Sequence, residues 1–295
     1  MDWTAFVAAL GGGAFGAALG AVPVFILTGL VALVGVLGAS QGNPALLQTA
    51  FGPALGPHVS FAGAVAAAAY AASRKYIATG RDIASPLMPL VRIDVLLVGG
   101  IFGAAGYALN AALIASGIAA WTDSVAASVV VSNLVARLVF GEAGPFGKLQ
   151  SPGPRFRPTD SASWLPWQQD WAHVIAIGAG VGLFAAYITA HGGLDTGREV
   201  LGFAISTVSL VFLVTGSKIP VTHHISMTAA LAVSHGAGVL TGALVGVLGS
   251  VLGEVASRVF LIHGDTHIDP PAVAIALVAT LLLVAGSAGL VLPAF

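Results

Sequence analysis

Long apolar runs constrain this chain more than any other feature of its sequence. Residues 5–38 form one run that is longer than the about 20 residues a membrane-spanning helix requires. Only 8% of the 295 residues are charged, whereas soluble domains carry about 25%. A deficit that extends along the whole chain indicates lipid as the surrounding solvent. The sequence therefore predicts an all-α polytopic membrane protein of the cell (inner) membrane, with the lipid bilayer as its first partner.

The apolar runs predict nine to ten, and we expect about ten, membrane-embedded helices. They lie within residues 5–38, 58–73, 93–117, 124–141, 173–191, 199–216, 223–235, 238–261 and 271–291. Residues 5–38 fit either one long tilted helix or a tight pair of helices interrupted near Pro23. The runs at 58–73 and 223–235 are short for a full crossing, so we expect broken or re-entrant helices there.

One motif occurs twice, at residues 52–61 and 218–227. Each copy has a proline-containing breaker, then His, a β-branched residue, Ser and a bulky apolar residue. Farther along each half come a ladder of three glycines and an acidic turn. The glycines are Gly99, Gly103 and Gly106 in the first half and Gly242, Gly246 and Gly249 in the second. This order predicts an internal duplication, with a first membrane repeat at 1–142, a linker at 143–171 and a second repeat at 172–295.

The positive charges predict the orientation of the two repeats. Lys148, Arg155 and Arg157 lie in the linker, and Lys and Arg favour the cytoplasmic side. The linker is therefore predicted to be cytoplasmic, with Trp164 and Trp167 at the headgroup level. Counting helices from this side makes 58–73 and 223–235 run in opposite directions, so the repeats are predicted to be inverted. The side of the N-terminus stays open.

His58 and His224 are the leading candidates for a site because polar groups at the start of apolar helices are costly in lipid. Related by a pseudo-two-fold axis, they could approach each other and contact a permeant or relay its proton. Ser60, Ser226 and His223 would complete the lining. The alternative is that each histidine only caps its short helix.

Three polar residues lie within or near the ends of other apolar runs. Asn110 and Glu254 could line a pore, although a hydrogen bond between helices explains each equally well. Glu254 can also pair with Arg258 one turn later. Arg137 lies near the end of a predicted helix, where its side chain can reach the membrane surface.

A second cluster offers ligands for a divalent metal. His263, Asp265, His267 and Asp269 alternate along the chain, and an extended backbone would place all four on one face. The alternative is a hydrated turn in which Asp269 caps the helix that begins at Pro270.

Several classes of protein are disfavoured. The chain has no cysteine, which excludes disulfides and thiolate sites, and its net charge of −1 predicts no nucleic-acid partner. Walker A, G-x-S-x-G and H-E-x-x-H sequences are all missing. We therefore predict no enzyme activity and, apart from the metal alternative, no cofactor.

The paired motifs around His58 and His224 look like the general plan of the ammonium and urea channel families. The resemblance implies two inverted five-helix halves around a central pore, a trimeric assembly and paired histidines in that pore. The local sequences Gly-Pro-His-Val-Ser-Phe and His-Ile-Asp-Pro-Pro-Ala-Val also look like the aquaporin half-helix motif, but neither contains its Asn-Pro-Ala.

These observations predict a homo-oligomeric channel or secondary transporter for a small solute or ion. A divalent metal-ion transporter is the first alternative. A structural or assembly subunit without transport is the second, and it predicts that the short helices pack without a polar cavity.

Overall fold

The computed structural model describes residues 2–149, 154–156, 158–159, 163–192 and 197–295, and α-helices dominate them. The helices of the first half are α1 (Trp3–Leu19), α2 (Ala21–Ser40), α3 (Ala45–Phe51), α4 (Ser60–Ser73), α5 (Ile93–Ala115) and α6 (Ser124–Phe140). Those of the second half are α7 (Trp171–His191), α8 (Arg198–Val214), α9 (His223–Ser234), α10 (Val239–Ala256) and α11 (Pro270–Ser287). A π-helical turn, Ser257–Leu261, continues α10.

Five helical segments are long and apolar enough to cross a membrane, as judged by length and composition. They are Ala21–Ser40, Ile93–Ala115, Trp171–His191, Val239–Leu261 and Pro270–Ser287. Large apolar side chains on them point outward, such as Leu97 on α5 (61% exposed) and Leu244 on α10 (65% exposed). Exposed apolar surface of this extent is compatible with a membrane protein.

The run at 5–38 forms a pair of helices. α1 ends at Gly20, whose φ of 93° lies in the region that favours glycine, and α2 begins at the next residue. Pro23 lies in the first turn of α2, where its missing N–H removes no helical hydrogen bond. Of the two interpretations of this run, the helical pair is confirmed.

The short helices α4 and α9 lie inside their halves. Nearly every residue of α4 is buried, and its many alanines let neighbouring helices approach closely. α4 packs against α1, α2, α5 and α6. α9 packs against the helices in corresponding positions, which are α7, α8, α10 and α11.

The glycine ladders mark close contacts between helices within each half. Gly103 on α5 lies against Gly13 and the carbonyl of Ala9 on α1, and Gly246 on α10 lies against Gly182 on α7. A methyl group at these positions would collide with the facing backbone or side chains. The ladders therefore fix how closely α5 and α10 approach their neighbours.

Two helix pairs join the halves, α2 with α8 and α6 with α11. Gly29 contacts Thr207, and Val36, farther along α2, contacts Gly197 before the start of α8. Since the numbers rise on one helix and fall on the other, α2 and α8 run antiparallel.

Contacts between α6 and α11 show the relative direction of this second pair. Thr122, before the start of α6, donates to the Ala276 carbonyl at 3.2 Å. Asn133, inside α6, accepts from the amide of Asp269 at 3.2 Å, before the start of α11. This pair is also antiparallel.

α3 was not predicted, because residues 39–57 contain many helix breakers. Its helix begins directly after Pro44, whose fixed φ suits a helix start, and the side chain of Asn43 accepts from the Ala45 amide at 3.2 Å. α3 packs against α2, where Gly35 leaves space for Leu47.

Candidate functional site

The chain before α4 is held by two hydroxyl groups that share one carbonyl. Thr28 on α2 and Ser60 at the start of α4 both donate to the carbonyl of Leu55, at 3.0 Å and 2.9 Å. The backbone of His58 passes directly over Gly106 on α5. His58 is 1% exposed, and its Nδ1 has no partner among the described residues.

The chain before α9 is held from the linker. The side chain of Gln168 accepts from the amide of Val221 at 2.9 Å and donates to its carbonyl at 3.2 Å, and Trp167 donates to the Ile219 carbonyl at 2.8 Å. Inside α9, the hydroxyl of Ser226 lies 2.6 Å from that of Ser206 on α8. Ser60 and Ser226 thus both bond to groups of their own half.

A cavity of about 480 Å³ lies between the two halves. Positions with matching local sequence in the two halves line it together. Val22 and Phe25 on α2 match Val200 and Phe203 on α8, both as Val-x-x-Phe, and Phe61 on α4 matches Met227 on α9. The cavity is therefore built from the same places in both halves.

The start of α6 and the start of α11 also contribute matching residues. Both helices begin with Asp-x-x-Ala, and the cavity is lined by Asp123 and Ala126 from one and by Asp269 and Ala272 from the other. Each aspartate caps its helix by accepting from the amide of that alanine, at 2.8 Å and 2.9 Å. This confirms that Asp269 acts as an N-cap.

The middle of the cavity is aromatic. The ring of Phe25 lies 5.6 Å from that of Phe61 and 5.8 Å from that of Phe203, and 4.9 Å from the imidazole of His223. His223 is 5% exposed, and its Nδ1 is buried without a partner among the described residues. An aromatic box with one free imidazole nitrogen can hold an apolar group and one hydrogen-bonding group.

The predicted site residues lie in different parts of the structure. His223 lines the cavity, whereas His58 and His224 are not among its lining residues. His224 is 1% exposed and faces Gly253 on α10. Asn110 is half-buried on α5 with its Oδ1 unpartnered, and Glu254 pairs with Arg258 at 2.6 Å. Pairing of His58 with His224 stays a prediction.

Three of the four residues of the predicted metal cluster divide between two places. His267 donates to Asp269 at 3.1 Å, and both line the cavity. Asp265 instead accepts from the amides of Glu142 and Ala143 after α6. Across the described residues, no group of three or more His, Asp or Glu side chains could hold a metal ion.

His263 lies apart from the other three. It is 3% exposed, and neither ring nitrogen has a partner among the described residues. Burial, together with the charges of Arg155 and Arg81, lowers the pKa of His263. The lowered pKa favours the neutral form of its imidazole.

Arginines converge on the backbone that follows α10, a feature that the sequence did not reveal. The π-helical turn leaves carbonyl groups without helical partners. They are satisfied by Arg81 at Ile262 (3.3 Å), by Arg137 at Phe260 and by Arg155 at Val259 (2.9 Å). Arg137 is 0% exposed, so the interpretation that its side chain reaches the membrane surface is wrong. Carbonyl acceptors replace water as its partners.

A smaller pocket of about 320 Å³ adjoins the cavity on this side. The two share Arg81, Asp82, Ile83, Trp164 and His267. The connection between α4 and α5 and one linker tryptophan thus form the boundary between the cavity and this face of the protein.

Comparison with known proteins gives one match. The model of a family of unknown function (DUF7973) matches residues 1–151 and 153–294. The two matched segments meet inside the linker. No curated protein matches the chain, and no solved structure matches it.

Proposed function

The chain belongs to the family of unknown function DUF7973, and we propose from its own residues that it is a membrane channel or secondary transporter. It moves a small solute or ion through the cavity between its halves. Ten membrane-embedded helices, α1, α2 and α4–α11, form two inverted repeats of five, and α3 is an insertion in the first.

The packing of the helices supports the repeats. α1, α2, α4, α5 and α6 correspond in order to α7, α8, α9, α10 and α11, and the contacts within one set recur within the other. The two pairs that join the halves are pairs of corresponding helices, and both are antiparallel. A two-fold axis in the membrane plane produces this relation between corresponding helices. The division of the family match into two segments also agrees with a duplication.

The cavity is the observation that carries the proposal. Transporters with inverted repeats bind their substrates at the interface between the repeats, beside interrupted helices. Here the cavity lies between corresponding helices, and the segment before each short helix borders it, through Pro57 in one half and Val221 in the other. A structural subunit would gain nothing from an unfilled space of this size, because dense packing stabilises a core.

The side of the protein on which arginines meet the backbone after α10 is assigned to the cytoplasmic face of the cell membrane. Arg81, Arg137 and Arg155 all bond there, and Lys and Arg are enriched on that side of membrane proteins. The Asp269 end of the cavity then faces inward and the Asp123 end faces outward.

Single cysteines in this naturally cysteine-free chain test the proposal. Ala126→Cys and Ala272→Cys place a thiol at matching cavity positions. We expect an impermeant thiol reagent to reach the first from outside and the second from inside reconstituted vesicles. Ala105→Cys is the matched control, since it is exposed on α5 outside the cavity and faces lipid.

Flux completes the test. Ammonium, urea, small organic acids, protons and divalent metals would be offered to the vesicles, and labelling of either cavity cysteine should block whichever flux is found. Flux no greater than in empty vesicles for the whole panel, or unreactive cavity cysteines, would contradict the proposal.

A further inference from the structure

We propose that the cavity binds a small organic cation, an ammonium group attached to an apolar body. This inference rests on the proposed function, because it names the substrate class of the same cavity. It follows from the charges, the aromatic side chains and one unpartnered nitrogen in the lining.

The charged groups of the lining are mostly acidic. Asp82, Asp123, Glu199 and Asp269 line the cavity together with Arg81, which is the single Lys or Arg among the described residues of the lining. The guanidinium of Arg81 already donates to the Ile262 carbonyl at 3.3 Å. Glu199, at the start of α8, has no hydrogen bond or ion pair with a described residue. A field of this sign attracts cations and repels anions.

The acidic groups flank the apolar middle. Asp123 and Asp269 begin two corresponding helices that run antiparallel, so these two carboxylates lie toward opposite ends of the cavity. A cation that enters from either side therefore meets a carboxylate at that end of the cavity. This placement suits a substrate that passes from one end to the other.

The aromatic box supplies the binding surface between these ends. Phe25, Phe61 and Phe203 present ring faces and edges, and a cation over a ring face is attracted by the ring's electrons. The Nδ1 of His223 is buried and has no hydrogen-bond partner among the described residues. The residue as a whole is 5% exposed. A turn of the imidazole ring would bring this nitrogen to the cavity, where a neutral imidazole nitrogen accepts a hydrogen bond from an ammonium N–H.

The size and polarity of the cavity exclude other ligands. A volume of about 480 Å³ accommodates an organic molecule. A bare metal ion needs a cage of oxygen ligands, and the described residues provide no such cluster. A neutral solute would leave the excess negative charge of the lining uncompensated.

Four probes with the same aromatic body separate these classes. They are 2-phenylethylamine, benzyltrimethylammonium, 2-phenylethanol and phenylacetate, and their binding to the full-length protein in detergent micelles is measured at equilibrium. We expect the two cations to bind about tenfold or more tightly than the alcohol and the anion, because hydrogen-bonded and ionic contacts to a charged group are the stronger ones.

Asp123→Asn and Asp269→Asn remove a charge but keep a side chain that caps a helix equally well. Each should weaken binding of 2-phenylethylamine by about tenfold. Asp170→Asn is the matched control, since Asp170 caps α7 in the same way but is exposed outside the cavity. It should leave binding unchanged.

His223→Phe tests the unpartnered nitrogen. It should weaken binding of 2-phenylethylamine, which has N–H donors, more than binding of benzyltrimethylammonium, which has none. A loss of folding would lower both affinities together, so the difference between the two probes is the informative quantity.

The outcomes separate the two proposals. Binding of the cations without uptake of labelled benzyltrimethylammonium into vesicles would support the cation site and contradict transport. Flux of another solute without preferential cation binding would support transport and overturn the cation site. Equal or tighter binding of the alcohol or the anion, or no binding of any probe, would also overturn it.

Discussion

The two halves of the molecule share one order of helices but differ in the connection after the short helix. In the second half, residues 235–238 join α9 to α10 directly. In the first half, residues 74–92 join α4 to α5. The longer connection reaches the other half, where the amide of Gly80 donates to the Asp265 carbonyl at 3.1 Å. It is also tied to its own half, because the Ile83 carbonyl accepts from the amide of Val22 on α2 at 2.9 Å.

This difference shows how a symmetric arrangement of helices can produce an asymmetric site. The longer connection brings Arg81, Asp82 and Ile83 to one end of the cavity. The short connection supplies no lining residue at the other end. One end of the cavity is therefore lined by a connection that has no equivalent at the other end.

The largest effect is expected from Arg137, which ties the first half to the backbone after α10. Arg137→Gln should lower the free energy of unfolding by about 3–5 kcal/mol, because it removes a fully buried cation and leaves the carbonyls of Phe260 and Thr266 unpaired. Thermal melting in detergent measures the loss. Arg198→Gln, at an exposed position in α8, is the control and should change little. Equal melting temperatures would refute the role of Arg137.

The next largest effect on stability is expected from alanine substitutions in the glycine ladders, and it should differ between the two ladders. Gly106→Ala would drive a methyl group into the carbonyl of His58, whereas Gly249→Ala would meet the side-chain hydroxyl of Thr228. Backbone cannot move aside as a side chain can, so Gly106→Ala should cost about 1–3 kcal/mol and Gly249→Ala much less.

Gly180→Ala on α7 has open space and should be neutral or slightly stabilising, because alanine favours the helix. Melting of the three variants side by side checks the order. Equal losses of stability for Gly106→Ala and Gly249→Ala would contradict the predicted difference between the halves.

The sequence predicted much of the fold because each signal was local. Apolar length and glycine spacing placed the helices, and the position of Asp269 before Pro270 indicated its N-cap. Breaker residues were a poorer guide. They concealed α3, because Pro44 stands directly before this helix and does not interrupt it.

The site was harder to predict because it depends on contacts between distant segments. His223 lines the cavity and His224 does not, yet the two are adjacent and of the same type. Only the direction in which α9 begins decides between them. The burial of Arg137 was equally hidden, since two of its carbonyl partners, Phe260 and Thr266, lie more than a hundred residues away in the chain.

The longer connection, which lines one end of the cavity, should control access from that side. Ile83→Ala shortens a lining side chain but keeps the backbone bond to Val22. Labelling of Ala272→Cys by an impermeant thiol reagent from the inner side should then become severalfold faster. Labelling of Ala126→Cys from the outer side should not change. An equal increase at both cysteines would indicate general loosening of the structure and would contradict control from one end.

The smallest effect concerns the residue that stands two positions after the last residue of each short helix, α4 and α9. Lys75 has a φ of 62° and Gly236 a φ of 93°, and each donates its amide to a carbonyl three residues earlier, at 2.9 Å and 3.0 Å. The following residue in each case bonds to the carbonyl five residues before it, which completes a Schellman motif. A side chain in this conformation costs about 1 kcal/mol relative to glycine. Lys75→Gly should therefore raise the free energy of unfolding by that amount and Gly236→Lys should lower it, as measured by melting in detergent. Destabilisation by Lys75→Gly would contradict this prediction and would mean that the lysine side chain stabilises the longer connection. The two halves would then differ even at this turn.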